Sequence, residues 1–117
     1  MATKSVVAEK TFAFAVEIVN TVRGLQTQRR AYVPSRQVSR SGTGIGANIQ
    51  EALVGQRRPG FIAKMATASQ ETSETGCWLR LPRETGFLEA NAATPVEEGC
   101  RELSNTLTAI VKTSQET

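Results

Sequence analysis

A glycine-rich stretch, SGTGIGAN at residues 41–48, is the first feature of this sequence whose residue types and spacing could support chemistry. Gly42, Gly44 and Ala47 fit the pattern G-x-G-x-x-G/A, which lets a backbone approach a pyrophosphate at a helix N-terminus. That pattern also requires a hydrophobic strand before the first glycine. Residues 35–40 contain two arginines and only one apolar residue, so nucleotide binding is disfavoured. We interpret the stretch as helical, with its glycines as spacers where a neighbouring helix or subunit approaches closely.

Several glutamates near the apolar positions could form an acid–base or metal site, as in di-iron bundles. Such sites need Glu-x-x-His pairs on facing helices, and the chain has no histidine. Two isolated cysteines, Cys77 and Cys100, are too few for a zinc site without other ligands, and we expect them to be reduced and half-buried. We therefore predict no catalytic residue, no metal, no cofactor and no enzyme, but a structural polar network between the second and third helices. Its members are Arg40, Asn48, Glu51, Glu71 and Glu74.

Positive charge is concentrated in the first part of the chain. The net charge of +3 combines +7 over residues 1–65 with −4 over residues 66–117. Such clustering can attract a polyanion such as RNA, or it can serve self-assembly in which basic and acidic faces of different subunits meet. Aromatic side chains are scarce, so RNA binding would be driven by phosphates and sensitive to salt. The candidate nucleic-acid-binding residues are Arg29, Arg30, Arg36, Arg40, Arg57, Arg58 and Lys64.

Four amphipathic helical patterns, and no convincing strand, must position these residues. We predict helices at about residues 5–28, 34–56, 59–85 and 95–114, joined by short connections within a single domain that spans 1–117. The predicted fold class is all-α, an antiparallel up-down-up-down four-helix bundle.

Each pattern carries an apolar seam whose positions are mostly three or four residues apart, as a packed helix requires. We expect the first helix to have a broad apolar face, because further apolar residues flank its seam. The expected seam positions of the first, second and fourth helices are Val7, Phe14, Ile18 and Leu25, flanked by Ala8, Phe12, Ala15, Val19 and Val22; Val38, Gly42, Ile45, Ile49 and Ala52; and Val96, Cys100, Leu103, Leu107 and Ile110.

Local signals predict where the third helix ends and the fourth begins. Pro82 should kink or end the third helix, because it lacks a backbone donor, and Gly86 is a plausible C-terminal cap. Residues 89–94 are then expected to form a linker. Thr94 is predicted to be the N-cap of the fourth helix, with Glu97 completing a capping box.

No apolar run approaches the roughly 18 residues that a membrane span needs. The N-terminal residues MATKSVVAEKTF are interrupted by charges and lack the apolar core of a signal peptide. We therefore expect a cytoplasmic protein with no membrane association.

Three motifs carry a resemblance to a known family: QVSRSxxxIGANIxEA at residues 37–52, FIxKM at residues 61–65 and ExxETxxWL at residues 71–79. They are similar to the bacterial four-helix bundle proteins also called 23S ribosomal RNA intervening-sequence proteins, and the second-helix motif is the most specific. The resemblance implies an antiparallel bundle assembled into a ring-like homopentamer. A related branch comprises accessory proteins of diversity-generating retroelements, which bind a reverse transcriptase and nucleic acid through a basic surface. The resemblance defines no catalytic residues.

Two functional hypotheses follow from the sequence. The first is a nucleic-acid-associated bundle that uses the basic residues, linked to ribosomal RNA or to a reverse transcriptase. The second is a structural or scaffolding homo-oligomer that binds a protein partner and no nucleic acid.

Overall fold

Four long helices make up the protein in the computed structural model. It describes the backbone of residues 2–27, 32–54 and 57–116 and the side chains of 6–25, 35–54 and 57–116. The helices are α1 (Ala2–Thr27), α2 (Tyr32–Leu53), α3 (Arg58–Glu84) and α4 (Ala90–Glu116). No strand occurs among the described residues, and the predicted all-α fold class is confirmed.

The helices contact one another in a closed ring: α1 with α2, α2 with α3, α3 with α4, and α4 with α1. Side-chain contacts fix their directions, because early residues of one helix meet late residues of the next. Thr75 of α3 donates a hydrogen bond to Ser41 of α2, while Lys64 pairs with Glu51 further along. The same inverse order relates α3 to α4. On α1, Ile18 meets Gly42 of α2, and the earlier residues 8–15 lie beside residues 43–50. This arrangement is the predicted antiparallel four-helix bundle, 45 Å long and about half as wide.

The core is built from the predicted seams. Every seam position expected in α1 and α2 is buried, and so are those of α4 except Ile110, which is half-buried. The apolar face of α1 is wider than the surface that its neighbours cover. Phe12 is 73% exposed and Val19 is 47% exposed. Helix α1 therefore has the expected broad apolar face, but only part of that face is buried in the core.

The end of α3 is set by a glycine cap four residues after a buried proline. Pro82 stays inside the helix as a residue of its last turn, and the helix ends at Glu84. The amide of Phe87 donates to the Pro82 carbonyl at 2.8 Å, and the amide of Gly86 donates to Arg83 at 3.3 Å. Gly86 has a φ of 85°, which a residue without a Cβ adopts at little cost. This is a Schellman motif, so the predicted cap is confirmed.

The start of α4 differs from the prediction. The helix begins at Ala90, so the predicted linker belongs largely to the helix and the predicted N-cap at Thr94 is wrong. The Thr94 hydroxyl instead donates to the Ala90 carbonyl within the helix, and Glu97 pairs with Arg83 rather than closing a capping box. Ala93 is fully buried. Its packing favours an additional helical turn, and tertiary contacts commonly override such local signals.

Candidate nucleic-acid interface

The described arginine candidates for RNA binding lie near the two ends of α2, and Lys64 lies further along α3. Arg36 and Arg40 are near the beginning of α2, whereas Arg57 and Arg58 lie where α3 begins. All four are exposed. The stretch of α2 between the two pairs is roughly 25 Å long at 1.5 Å per residue. The structure therefore places these arginines as two separate pairs rather than in one compact patch.

Three of the candidate cations have partners within the chain. The Arg40 guanidinium lies 3.0 Å from the Glu74 carboxylate, and Lys64 lies 3.4 Å from Glu51. Arg58 donates to a backbone carbonyl near the end of α4 at 2.9 Å. These pairs are exposed, and exposed ion pairs contribute little stability. A phosphate can therefore compete for the same cations.

Of the four remaining candidate arginines, two are described by the structure and two are not. Arg36 and Arg57 form no ion pair or side-chain hydrogen bond with the described part of the chain. Arg29 and Arg30 lie outside the described residues.

The net charges of α2 and α4 are opposite in sign. The two helices also lie at opposite corners of the bundle. Both helices contact α1 and α3, and no contact joins α2 to α4 among the described residues, so they occupy opposite corners. The described residues 32–54 and 57–58, in α2 and directly after it, carry a net charge of +3, whereas residues 90–116 of α4 carry −2. The basic side of the protein is therefore separated from its acidic side by the width of the bundle.

The predicted polar network is present as three separate contacts between α2 and α3. The Asn48 side-chain amide donates to Glu71, and Arg40 bonds Glu74. Glu51 pairs with a lysine of α3 instead of joining the other acids. The contacts tie three positions along α2 to α3.

Two of the three glycines of the SGTGIGAN stretch are spacers for neighbouring helices. A Cβ at Gly42 would lie 2.8–3.0 Å from three side-chain carbons of Ile18 on α1. A Cβ at Gly44 would collide with the Glu71 carboxylate of α3. Gly46 has no such neighbour within 4 Å and borders an open groove. The spacer interpretation is therefore correct inside the bundle at two positions.

The position of Glu71 against α2 changes its titration. Burial raises the pKa of this carboxyl group above its usual value, and the charge of Glu74 adds to the rise. The hydrogen bond from Asn48 and the charge of Arg40 oppose it. The native state therefore holds this proton to a higher pH than the unfolded chain does.

We predict that Glu71→Gln changes the pH dependence of stability in one direction. Because the native pKa is raised, the contribution of Glu71 is fully present below its unfolded value of 4.5 and is lost as the pH rises through its native value. The free energy of unfolding of Glu71→Gln should therefore increase relative to the wild type as the pH rises. Urea unfolding from about pH 4 to pH 7 measures this difference. The exposed Glu98→Gln controls for the change in net charge, and an equal trend in both variants would contradict the prediction.

The two cysteines differ in exposure. Cys77 is exposed, contrary to the expectation of a half-buried thiol, and Cys100 is buried. The Cys100 thiol donates to the Thr72 carbonyl, and burial raises its pKa to about 11. A thiol with this pKa stays protonated at neutral pH and is a weak nucleophile.

The described residues offer neither a metal site nor a membrane span. No group of three or more cysteine and glutamate side chains is placed to hold a metal ion among them. None of the described helices combines the length and the apolar character needed to cross a membrane.

Comparison with known proteins identifies a matching family and a similar solved structure. The family described as 23S rRNA-intervening sequence protein matches residues 3–109. The chain is also similar to the crystal structure of a protein with unknown function from the S23 ribosomal protein family of Bacteroides thetaiotaomicron. The two are 37% identical with a TM-score of 0.90, over 94% of this chain and 98% of that chain. No curated protein matches the chain significantly.

Proposed function

Because the chain belongs to the 23S rRNA-intervening sequence protein family, we propose that it is a non-enzymatic, homo-oligomeric bundle protein that binds RNA through its basic α2 side. The observation that carries the proposal is the opposite placement of charge. The described residues 32–54 and 57–58 carry +3 in and directly after α2, and the acidic α4 lies at the opposite corner of the bundle. A polyanion is thus attracted most strongly to the α2 side of each protomer.

The spacing of the arginines favours an extended ligand. The pair Arg36 and Arg40 lies roughly 25 Å from the pair Arg57 and Arg58 by helix rise, so a small anion cannot reach both. A nucleic-acid strand can, because its phosphates repeat along its length. A role with RNA also places the protein in the cytoplasm.

The non-enzymatic part of the proposal is supported by the side chains available for catalysis. The sequence contains no histidine, which removes the commonest general base near neutral pH. Cys100, the buried thiol, is held protonated and faces the α3 backbone.

Homo-oligomerisation is supported by an apolar surface between α1 and α2, which we call the α1/α2 groove. It encloses about 290 Å³. Phe12 projects beside it, while Gly46 and Ala47 of α2 leave a hollow in it. Val16 and Val19 continue the apolar stripe of Phe12 along α1 and are both 47% exposed.

The groove fits a second copy of this chain, because one surface offers both a projecting aromatic ring and a hollow without side chains. Side chains of the same protomer occupy the space beside Gly42 and Gly44, whereas none occupies the space beside Gly46. A glycine in a helix interior costs about 1 kcal/mol relative to alanine, and close packing by a partner helix offsets that cost. The family resemblance would make the assembly a pentamer.

RNA affinity is predicted to fall steeply with salt. Each phosphate contacted on a single strand contributes a logarithmic slope of about −0.7, so four arginine contacts per protomer predict roughly a fiftyfold loss for a fourfold rise in salt. In the double variant Arg57→Ala/Arg58→Ala the same rise should cause only about a sevenfold loss. Sedimentation with single-stranded RNA at several salt concentrations measures both slopes.

The matched control is Lys10→Ala/Lys112→Ala, which removes two positive charges from α1 and α4. Its salt slope should equal that of the wild type. An intact oligomer that binds no RNA even at low salt would contradict the RNA proposal and favour a scaffold for a protein partner. Equal slopes in both double variants would show that the α2 side is not the binding surface.

A further inference from the structure

A second groove lies between α3 and α4, on the face of the bundle opposite the α1/α2 groove. It encloses about 250 Å³ and is here called the α3/α4 groove. Cys100 lies in its wall with its thiol bonded to the α3 backbone. The polar side chains along its walls are Ser73 and Arg80 of α3 and Arg101, Ser104 and Asn105 of α4.

A glycine keeps this groove open. A Cβ at Gly76 would lie 3.6 Å from the Cys100 sulfur, which is an ordinary van der Waals contact. The position is therefore able to hold a side chain, unlike Gly42 and Gly44. Its glycine leaves space between Ser73 and Arg80, the residues one turn before and after it on the same face of α3.

The donors of the groove are largely unused within the protein. Ser73, Arg101, Ser104 and Asn105 make no side-chain hydrogen bond or ion pair with the described residues. Arg80 is engaged only in an exposed pair with Glu84, one turn along its own helix. Five donor side chains from two helices thus border one opening.

One acid lines the groove, and its charge is compensated. Glu97 lies 2.6 Å from Arg83, and both side chains are about one-third exposed or less. The arginine therefore satisfies this carboxylate. Of the two arginines at the opening, Arg101 has no ion-pair partner among the described residues, and Arg80 shares its charge with the exposed Glu84.

We propose that the α3/α4 groove binds a phosphate group, held by Arg80 and Arg101 from opposite walls and by the hydroxyl and amide donors between them. Arginine is suited to this ligand because its planar donors match two phosphate oxygens at once. The site goes beyond the proposed RNA surface, from which it is separated by position and by residues. The phosphate is supplied either by a free phosphate ion or monoester or by the backbone of an RNA strand that continues around the bundle.

The test is a TROSY NMR titration of the full-length protein with inorganic phosphate, against chloride at equal ionic strength. The backbone amides of Gly76, Arg101 and Ser104 should shift with a Kd that Arg101→Ala weakens about tenfold or more, as expected for a charged hydrogen bond. Gly76→Ala keeps every charge and fits sterically, so it should stay folded and also weaken binding about tenfold. Lys112→Ala removes a positive charge elsewhere on α4 and should bind phosphate as the wild type does.

A second arm replaces phosphate with a short single-stranded RNA. Displacement of inorganic phosphate by RNA at the same amides would identify the nucleic-acid backbone as the source. Shifts with phosphate alone would identify a free phosphate, and this outcome stands whether or not the α2 side binds RNA. No shift at these amides with either ligand, or equal affinity in the wild type, Arg101→Ala and Gly76→Ala, would overturn the proposal.

Discussion

Gly42→Ala is expected to destabilise the bundle, whereas the same substitution at Gly76 stabilises it. Both replacements add a methyl group to a helix interior, and both gain about 0.8–1 kcal/mol in helix propensity. They differ in what the methyl group meets. At Gly42 it would lie within 3.0 Å of three Ile18 carbons, and at Gly76 it would be 3.6 Å from one sulfur.

The Ile18 side chain cannot move towards solvent to relieve the crowding. It is fully buried, and two of the crowded atoms are attached directly to its Cβ, so rotation alone does not remove them. Overpacking of this kind costs about 1–3 kcal/mol. Because the gain in propensity is common to both variants, the difference between Gly42→Ala and Gly76→Ala isolates the overpacking.

Urea unfolding of the two variants measures that difference. The Ile18→Ala substitution removes the crowded carbons, so the added cost of Gly42→Ala should largely disappear in that background, although Ile18→Ala itself costs about 2–5 kcal/mol. A Gly42→Ala variant as stable as Gly76→Ala would show that α1 and α2 move apart freely.

Phe12→Glu is expected to dissociate the homo-oligomer and leave each protomer folded. Phe12 is 73% exposed within the protomer, so its replacement removes little from the core. In the proposed assembly the ring is buried against a second copy, and truncating such an aromatic anchor costs about 2 kcal/mol or more per contact. A buried carboxylate without a partner adds to that cost. The dissociation constant should rise about thirtyfold or more per contact.

Analytical ultracentrifugation over a concentration series measures the oligomeric state, and circular dichroism checks that the helices remain. Leu81→Glu is the matched control, because Leu81 is a 47% exposed residue of α3 away from the α1/α2 groove. It should assemble as the wild type does. A monomeric wild type, or equal dissociation of both variants, would contradict the proposed interface.

The ends of α3 and α4 illustrate which local signals are reliable. Gly86 forms the predicted cap because a positive φ is a local requirement that glycine meets without help from neighbours. The capping box at Thr94 fits the sequence pattern, yet the helix begins at Ala90. The burial of Ala93 depends on the other helices, so no signal in the immediate sequence could reveal it.

The candidate sites were predicted only as far as residue type. Proximity to apolar seams correctly indicated that Asn48 and Glu71 would meet between α2 and α3. It did not indicate that Glu51 would pair with Lys64, one of the candidate nucleic-acid-binding residues. The α3/α4 groove was missed altogether, although Gly76, a glycine inside a helical pattern, was a signal that could have found it.

By itself, the sequence determined the number of helices, their buried seams and the all-α bundle, because steps of three and four residues place apolar side chains on one face of a helix and that face must be buried. The tertiary structure decided which parts of the wider apolar faces stay exposed, as at Phe12, because this depends on how far the neighbouring helices extend around α1. The tertiary structure also decided which group packs against each glycine of α2. The sequence placed Gly42 on the apolar seam but did not show that Gly42, Gly44 and Gly46 would meet an isoleucine, a carboxylate and an open groove, respectively.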